Sequence, residues 1–186
     1  MIKNTEDTPQ KAQKPRKMTK KRLENIGLYY LERFDSSADN LRKVLKRRVF
    51  DYARKVPDFE TREAEEWIDE IVEKFEKLGY LNDCRYAEYK IDDYLAAGKP
   101  ERYIRQKMAL KGVADNVVDN ILQNRDFDEE KMAMQAAMKK KIGPWRKDEN
   151  DRKNNRQKDL ACLIRAGFNY DIAQKIINLE NPDDFA

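Results

Sequence analysis

Apolar residues recur every three or four positions in nine short runs, each closed by glycine, proline or a polar break, and that spacing points to short amphipathic helices throughout. The first three runs are Leu23, Ile26, Tyr30, Leu31 and Phe34; then Leu41, Val44, Leu45 and Val49; then Trp67, Ile68, Ile71, Val72, Phe75 and Leu78. Three more follow: Tyr86, Ile91, Tyr94 and Leu95; Tyr103, Ile104, Met108 and Leu110; Val117, Val118, Ile121 and Leu122. The last three are Met132, Met134, Ala137, Met138 and Ile142; Leu160, Leu163 and Ile164; Ile172, Ile176 and Ile177. Glycines 79, 98, 112, 143 and 167 sit where a helix needs a left-handed stop, whereas Gly27 falls inside a run. Ser36 or Ser37 can cap the second helix, Thr61 with acidic residues after it suits the third, and Asn82 or Asp83 can cap the fourth. No strand-like alternation competes with this reading.

The nine runs group by threes. At an offset of 55 residues, Met108, Gly112, Val113, Val117, Ile121 and Leu122 fall on Leu163, Gly167, Phe168, Ile172, Ile176 and Ile177. At an offset of 63, Leu41, Arg42 and Leu45 fall on Ile104, Arg105 and Met108. A set of this size buries too little surface alone, so neighbours are expected to stack. The predicted fold is therefore all-α, an elongated tandem array of three three-helix repeats at 23–81, 82–125 and 126–186. A disordered basic tail is expected over residues 1–22, which hold eight Lys or Arg against Glu6 and Asp7 and almost no large apolar side chain.

Composition removes most chemistries. The 186 residues contain no histidine, which excludes His-based triads, bases and metal ligands. Six scattered glycines build neither GxGxxG nor a P-loop. Cys84 and Cys162 form no CxxC and read as free thiols packed like small apolar side chains in a reducing cytosol. Carboxylate pairs such as Asp92-Asp93 and Asp183-Asp184 read as solvated. No catalytic, cofactor or metal site is expected. With no apolar run near the length of a membrane span and no signal-like N-terminus, a cytoplasmic protein without membrane contact is expected.

Charge follows helix type. Residues 38–56 carry seven Lys or Arg against two Asp, residues 97–112 five against one Glu, and residues 131–168 eleven against four acids. Residues 57–96 reverse this with thirteen acids against five bases, as do residues 113–130 with six against one. The middle helix of each set is thus basic and the third acidic. Aligned along an array, the basic helices make a discontinuous positive stripe suited to phosphates or an acidic protein groove. The alternative is that alternating charge merely solvates neighbouring helices. The candidate partner-binding residues are Arg42, Lys43, Lys46, Arg47, Arg102 and Arg105, placed by their spacing off the apolar face. Tyr29, Tyr30, Tyr86 and Tyr94 have core spacing. Trp145, beside Gly143 and Pro144, either folds back as a lid or presents an aromatic ring to a partner.

The run Gly79-Tyr80-Leu81-Asn82-Asp83-Cys84-Arg85-Tyr86-Ala87, followed by Gly98, Ile104, Met108 and Lys111-Gly112-Val113, resembles the central repeat of RecX-family regulators of the RecA recombinase. Leu28-Tyr29-Tyr30-Leu31, Ser37 and Leu41-Arg42-Lys43-Val44-Leu45 resemble that family's first repeat, and Ala166-Gly167-Phe168-Asn169-Tyr170-Asp171 its third. Asn82 stands where the family commonly has Asp, and the first repeat lacks the Lys-Gly ending. Read physically, the central motif is architectural: Gly79 stops a helix while Tyr80 and Leu81 plug the junction. The resemblance implies a non-enzymatic, mainly inhibitory modulator that binds the RecA–DNA filament and regulates DNA repair, recombination and the SOS response. It further implies a monomer without cofactors, with the basic tail available to DNA phosphates. The alternative reading is a sequence-independent DNA-binding helical repeat protein.

Overall fold

The apolar runs become nine α-helices among the described residues, 15–180 of a computed structural model, which contain no strand. They are α1 (Lys20–Leu31), α2 (Ala38–Ala53) and α3 (Thr61–Lys77); α4 (Asp83–Ala96), α5 (Glu101–Leu110) and α6 (Asp115–Gln123); α7 (Glu129–Lys140), α8 (Glu149–Ala166) and α9 (Tyr170–Asn178). A 3-10 turn, Gly143–Trp145, lies between α7 and α8. Short polar side chains start most of them by accepting an otherwise unpaired first-turn N–H: Ser37 from Asn40 at 3.2 Å, Asn82 from Arg85 at 3.0 Å, Asp148 from Asp151 at 2.7 Å. The third helix departs from expectation, because Glu60 occupies its cap position without a side-chain bond and Thr61 is already helical.

Each three consecutive helices bury one apolar cluster. Leu23, Leu41, Leu45, Ile68, Val72 and Phe75 centre the first; Tyr86, Ile91, Ile104, Met108 and Val118 the second; Ala137, Leu163, Phe168 and Ile176 the third. Every extensive helix–helix contact lies within one such triplet. Gly27 inside α1 is explained by this packing, since a Cβ there would approach Cε2 of Phe75 to 2.9 Å. Burial holds the Tyr86 hydroxyl above its usual range.

Several side chains leave the positions their spacing predicts. Tyr29 is exposed, with Arg33 stacked 3.6 Å over its ring; Phe34 is exposed because it lies beyond the end of α1, and Leu110 and Met138 because they fall in the last turns of α5 and α7. Leu81 plugs the end of the first cluster, but Tyr80 is more than half exposed and touches Phe75 only edge-on. Cys84 is exposed in the first turn of α4 rather than packed, while Cys162 is half-buried; both are free. Part of the expected tail, residues 1–14, lies outside the described residues. For 15–22 the expectation is corrected: Met18 is buried in the first cluster, Thr19 caps α1 and Lys20 to Arg22 form its first turn. A buried methionine, a helix cap and the Lys20–Glu70 ion pair together tie down a segment whose average composition is basic.

Between triplets, middle helices meet end to end. At the first junction the Ser37 hydroxyl donates to the Lys111 carbonyl, Lys111 Nζ donates to Asn40 Oδ1 at 3.0 Å, and the Ala38 N–H donates to Asp83 Oδ1 at 2.8 Å. At the second, Pro100 and Tyr103 lie against Gly167, and the Glu101 N–H donates to Glu129 Oε1 at 2.6 Å. In both cases the first residue of one triplet's first helix accepts from the first residue of the preceding middle helix.

The third triplet adds a polar staple. Asp159, almost fully buried, accepts from Arg146 through both oxygens at 2.7 Å and from the Gly143 N–H at 2.9 Å. Burial alone would push the Asp159 carboxyl up, but Arg146 and the Gly143 N–H together hold it below the usual carboxylate range. This fixes the turn that carries Trp145, whose ring is half-buried on the third cluster.

Candidate partner-binding surface

The α2 stripe of Leu41, Leu45 and Val49 is buried, so the cations between these residues must point elsewhere, and they diverge in where they go. Arg42 pairs with Asp69 of α3 at 3.2 Å. Lys43 turns along the helix to Asp39 at 2.6 Å and donates to the Leu110 carbonyl at 3.1 Å, a contact across the first junction. Lys46 and Arg47 are exposed and form no ion pair among the described residues, and Arg48 beside them, which the spacing argument passed over, is the same.

On α5 the two candidates also part. Arg102 is exposed and unpaired among the described residues. Arg105 is half-buried between Asp119 at 2.5 Å and Glu101 at 2.6 Å, and these two hydrogen bonds hold its guanidinium above even the ordinary arginine range. Spacing alone does not distinguish an arginine offered to solvent from one spent on a neighbouring helix, because that depends on which acid α6 brings opposite.

Beside Arg48 runs an apolar groove of about 580 Å³, floored by Met18, Ile26, Tyr29 and Tyr52 and edged by Arg22, Arg48 and Lys55. Of the free α2 cations Arg48 borders this groove, beside Asp51, whereas Lys46 and Arg47 do not line it. Asp83 is the residue whose role the sequence left open: Asn82 caps α4, and Asp83 is released to lock the preceding triplet. No three His, Cys, Asp or Glu side chains are grouped to hold a metal ion among the described residues, and no helix there is long and apolar enough to cross a membrane.

These features define an all-α scaffold, three helix triplets joined at narrow polar or mixed contacts, with free charge on its outer faces. A protein named regulatory protein RecX from Myxococcus xanthus (strain DK1622) is 40% identical over 171 residues, covering 91% of this chain and 90% of the relative. The chain belongs to the RecX family of regulatory proteins. Relatives of the same name are 36% identical over 93 residues in Vibrio vulnificus and 28% over 153 residues in Streptococcus uberis, where the match spans 58% and 53% of their lengths. No family model matches the chain. The crystal structure of RecX from Lactobacillus salivarius superposes with a TM-score of 0.61 over 85% of this chain and 94% of that one; at 23% identity this likeness speaks for the fold.

Proposed function

We propose that this protein is a non-enzymatic modulator, mainly an inhibitor, of a RecA-type recombinase, acting as a monomer in the cytoplasm by binding the RecA–DNA filament and so regulating recombination, DNA repair and the SOS response. The observation that carries the reading, beside family membership, is the set of exposed cations Lys46, Arg47 and Arg102 on consecutive middle helices that no carboxylate neutralises among the described residues. Three tandem triplets in an elongated array would let these helices contact successive subunits of a polymeric partner.

Reversing only these three cations is the cleanest test, since Lys43 and Arg105 are engaged inside the protein. Lys46→Glu, Arg47→Glu and Arg102→Glu together should cost no more than about 1 kcal/mol of stability, as expected for exposed charges. Inhibition of DNA-dependent ATP hydrolysis by the cognate recombinase should fall more than about tenfold, the loss expected when complementary charges become repulsive. A folded triple variant that inhibits like the parent would place the contact on other faces.

A further inference from the structure

A second concentration of cations, which includes none of those three residues, surrounds a cleft of about 260 Å³ at the junction of the second and third triplets. Gly98, Pro100, Ala136 and Ala166 line it together with Tyr103, Met132 and Phe168, and so do Lys99, Lys139, Lys140 and Arg165. No carboxylate lines the cleft. None of the four cations has an ion-pair partner among the described residues; Lys99 Nζ lies 5.2 Å from the centroid of the Tyr103 ring, and Lys107 Nζ lies 5.3 Å from the same centroid.

The simplest alternative is that these cations only complement helix ends. The C-termini of α4, α7 and α8 all converge here, and each carries about half a negative charge. Three half charges offset fewer than two of the four cations, so a surplus of about two and a half positive charges remains. Elsewhere in the molecule cations are commonly met by acids on their own helix, as Lys77 is by Glu73 and Lys153 by Glu149, each at 2.6 Å. A cleft with four cations, no acid and surplus positive charge fits an anion better than it fits solvent.

We propose that this cleft seats phosphates of a nucleic-acid strand, bound through charge and without reading bases. The site is independent of the α2 face, so it stands or falls without the recombinase reading. Two or three adjacent phosphates would meet Lys139, Lys140, Arg165 and Lys99.

The test is binding of a fluorescein-labelled thymidine 20-mer to the full chain, with no recombinase present, across a salt series. Replacing Lys139, Lys140 and Arg165 by Gln should lower affinity at least about tenfold and reduce the log–log salt slope by about two, at roughly 0.7 per lost single-strand contact. A control triple of Lys21, Arg62 and Lys77 to Gln removes the same charge from cations that already face Glu24, Glu66 and Glu73, and should lose less than about threefold. Circular dichroism verifies that both fold, and Lys139→Arg with Lys140→Arg should retain binding. Equal losses in the two triples, or none in the cleft triple, would overturn the site. Displacement of the 20-mer by tripolyphosphate at equal phosphate concentration would reassign the cleft to free polyphosphate and overturn the strand assignment.

Discussion

At the first junction the N-terminus of α2 meets the C-terminus of α5 through polar groups, whereas at the second the N-terminus of α5 meets the C-terminus of α8 mainly through Pro100 and Tyr103 packed on Gly167. Ser37 caps its own helix and also reaches Lys111; Pro100, at the equivalent position, has neither an N–H nor a side-chain acceptor. What both retain is the carboxylate at the start of the following triplet, Asp83 or Glu129, and a left-handed glycine at the facing helix end, Gly112 or Gly167. Geometry is thus set by two shared features, and the remaining contacts decide how tightly each junction is held.

The glycine should matter most. Gly112 has φ +70°, and a Cβ on it would overlap the Asp39 side chain at its root, where no rotamer change gives relief. Left-handed strain of about 1 to 2 kcal/mol plus overpacking of about 1 to 3 kcal/mol gives an expected loss for Gly112→Ala of about 2 to 5 kcal/mol in urea unfolding. Gly98 makes the control, with φ +67° and nothing within 4 Å of its added Cβ, so Gly98→Ala should cost only the strain. Equal losses would show that the first junction yields rather than fixes the geometry.

The carboxylate locks come next. Asp83→Ala and Glu129→Ala each remove one acceptor from a helix N-terminus, worth about 1 kcal/mol. Their local effects should differ, because α2 keeps the Ser37 cap while α5 has no substitute. Amide exchange at Glu101 in Glu129→Ala should therefore accelerate more than exchange at Ala38 in Asp83→Ala. The reverse order would mean that the second junction is held by packing and that its hydrogen bond is incidental.

Much of this was legible from spacing. The nine helices, the left-handed glycines and the buried stripes follow from period and punctuation, which are local properties. The junctions were not, because Asp83 and Gly112 also serve as an ordinary first-turn acid and helix stop, and only the fold brings them to Ala38 and Asp39. The same holds for the charged candidates. Lys46 and Arg47 on one side and Arg105 on the other look alike in sequence, and Asp119 of α6 makes the difference. The cleft at the second junction gathers cations from three separated stretches, so no window of sequence contains it.

The smallest effect should come from Lys43, and it decides which of two roles that side chain has. Its ammonium bridges Asp39 and the Leu110 carbonyl, so within the molecule it is a tie across the first junction, yet it is more than half exposed and shares the helix of Lys46 and Arg47. Lys43→Met keeps the aliphatic stem and removes the charge. As a junction tie in a solvated pair it should be worth about 0 to 1 kcal/mol, and combining it with Gly112→Ala should give a sub-additive loss, since both changes act on one contact. Inhibition of the recombinase should then stay at the parent level. If instead Lys43→Met leaves unfolding unchanged and weakens inhibition as much as Arg47→Glu does, the polar first junction does not use this lysine, and its contrast with the second rests on Ser37 and Lys111 alone.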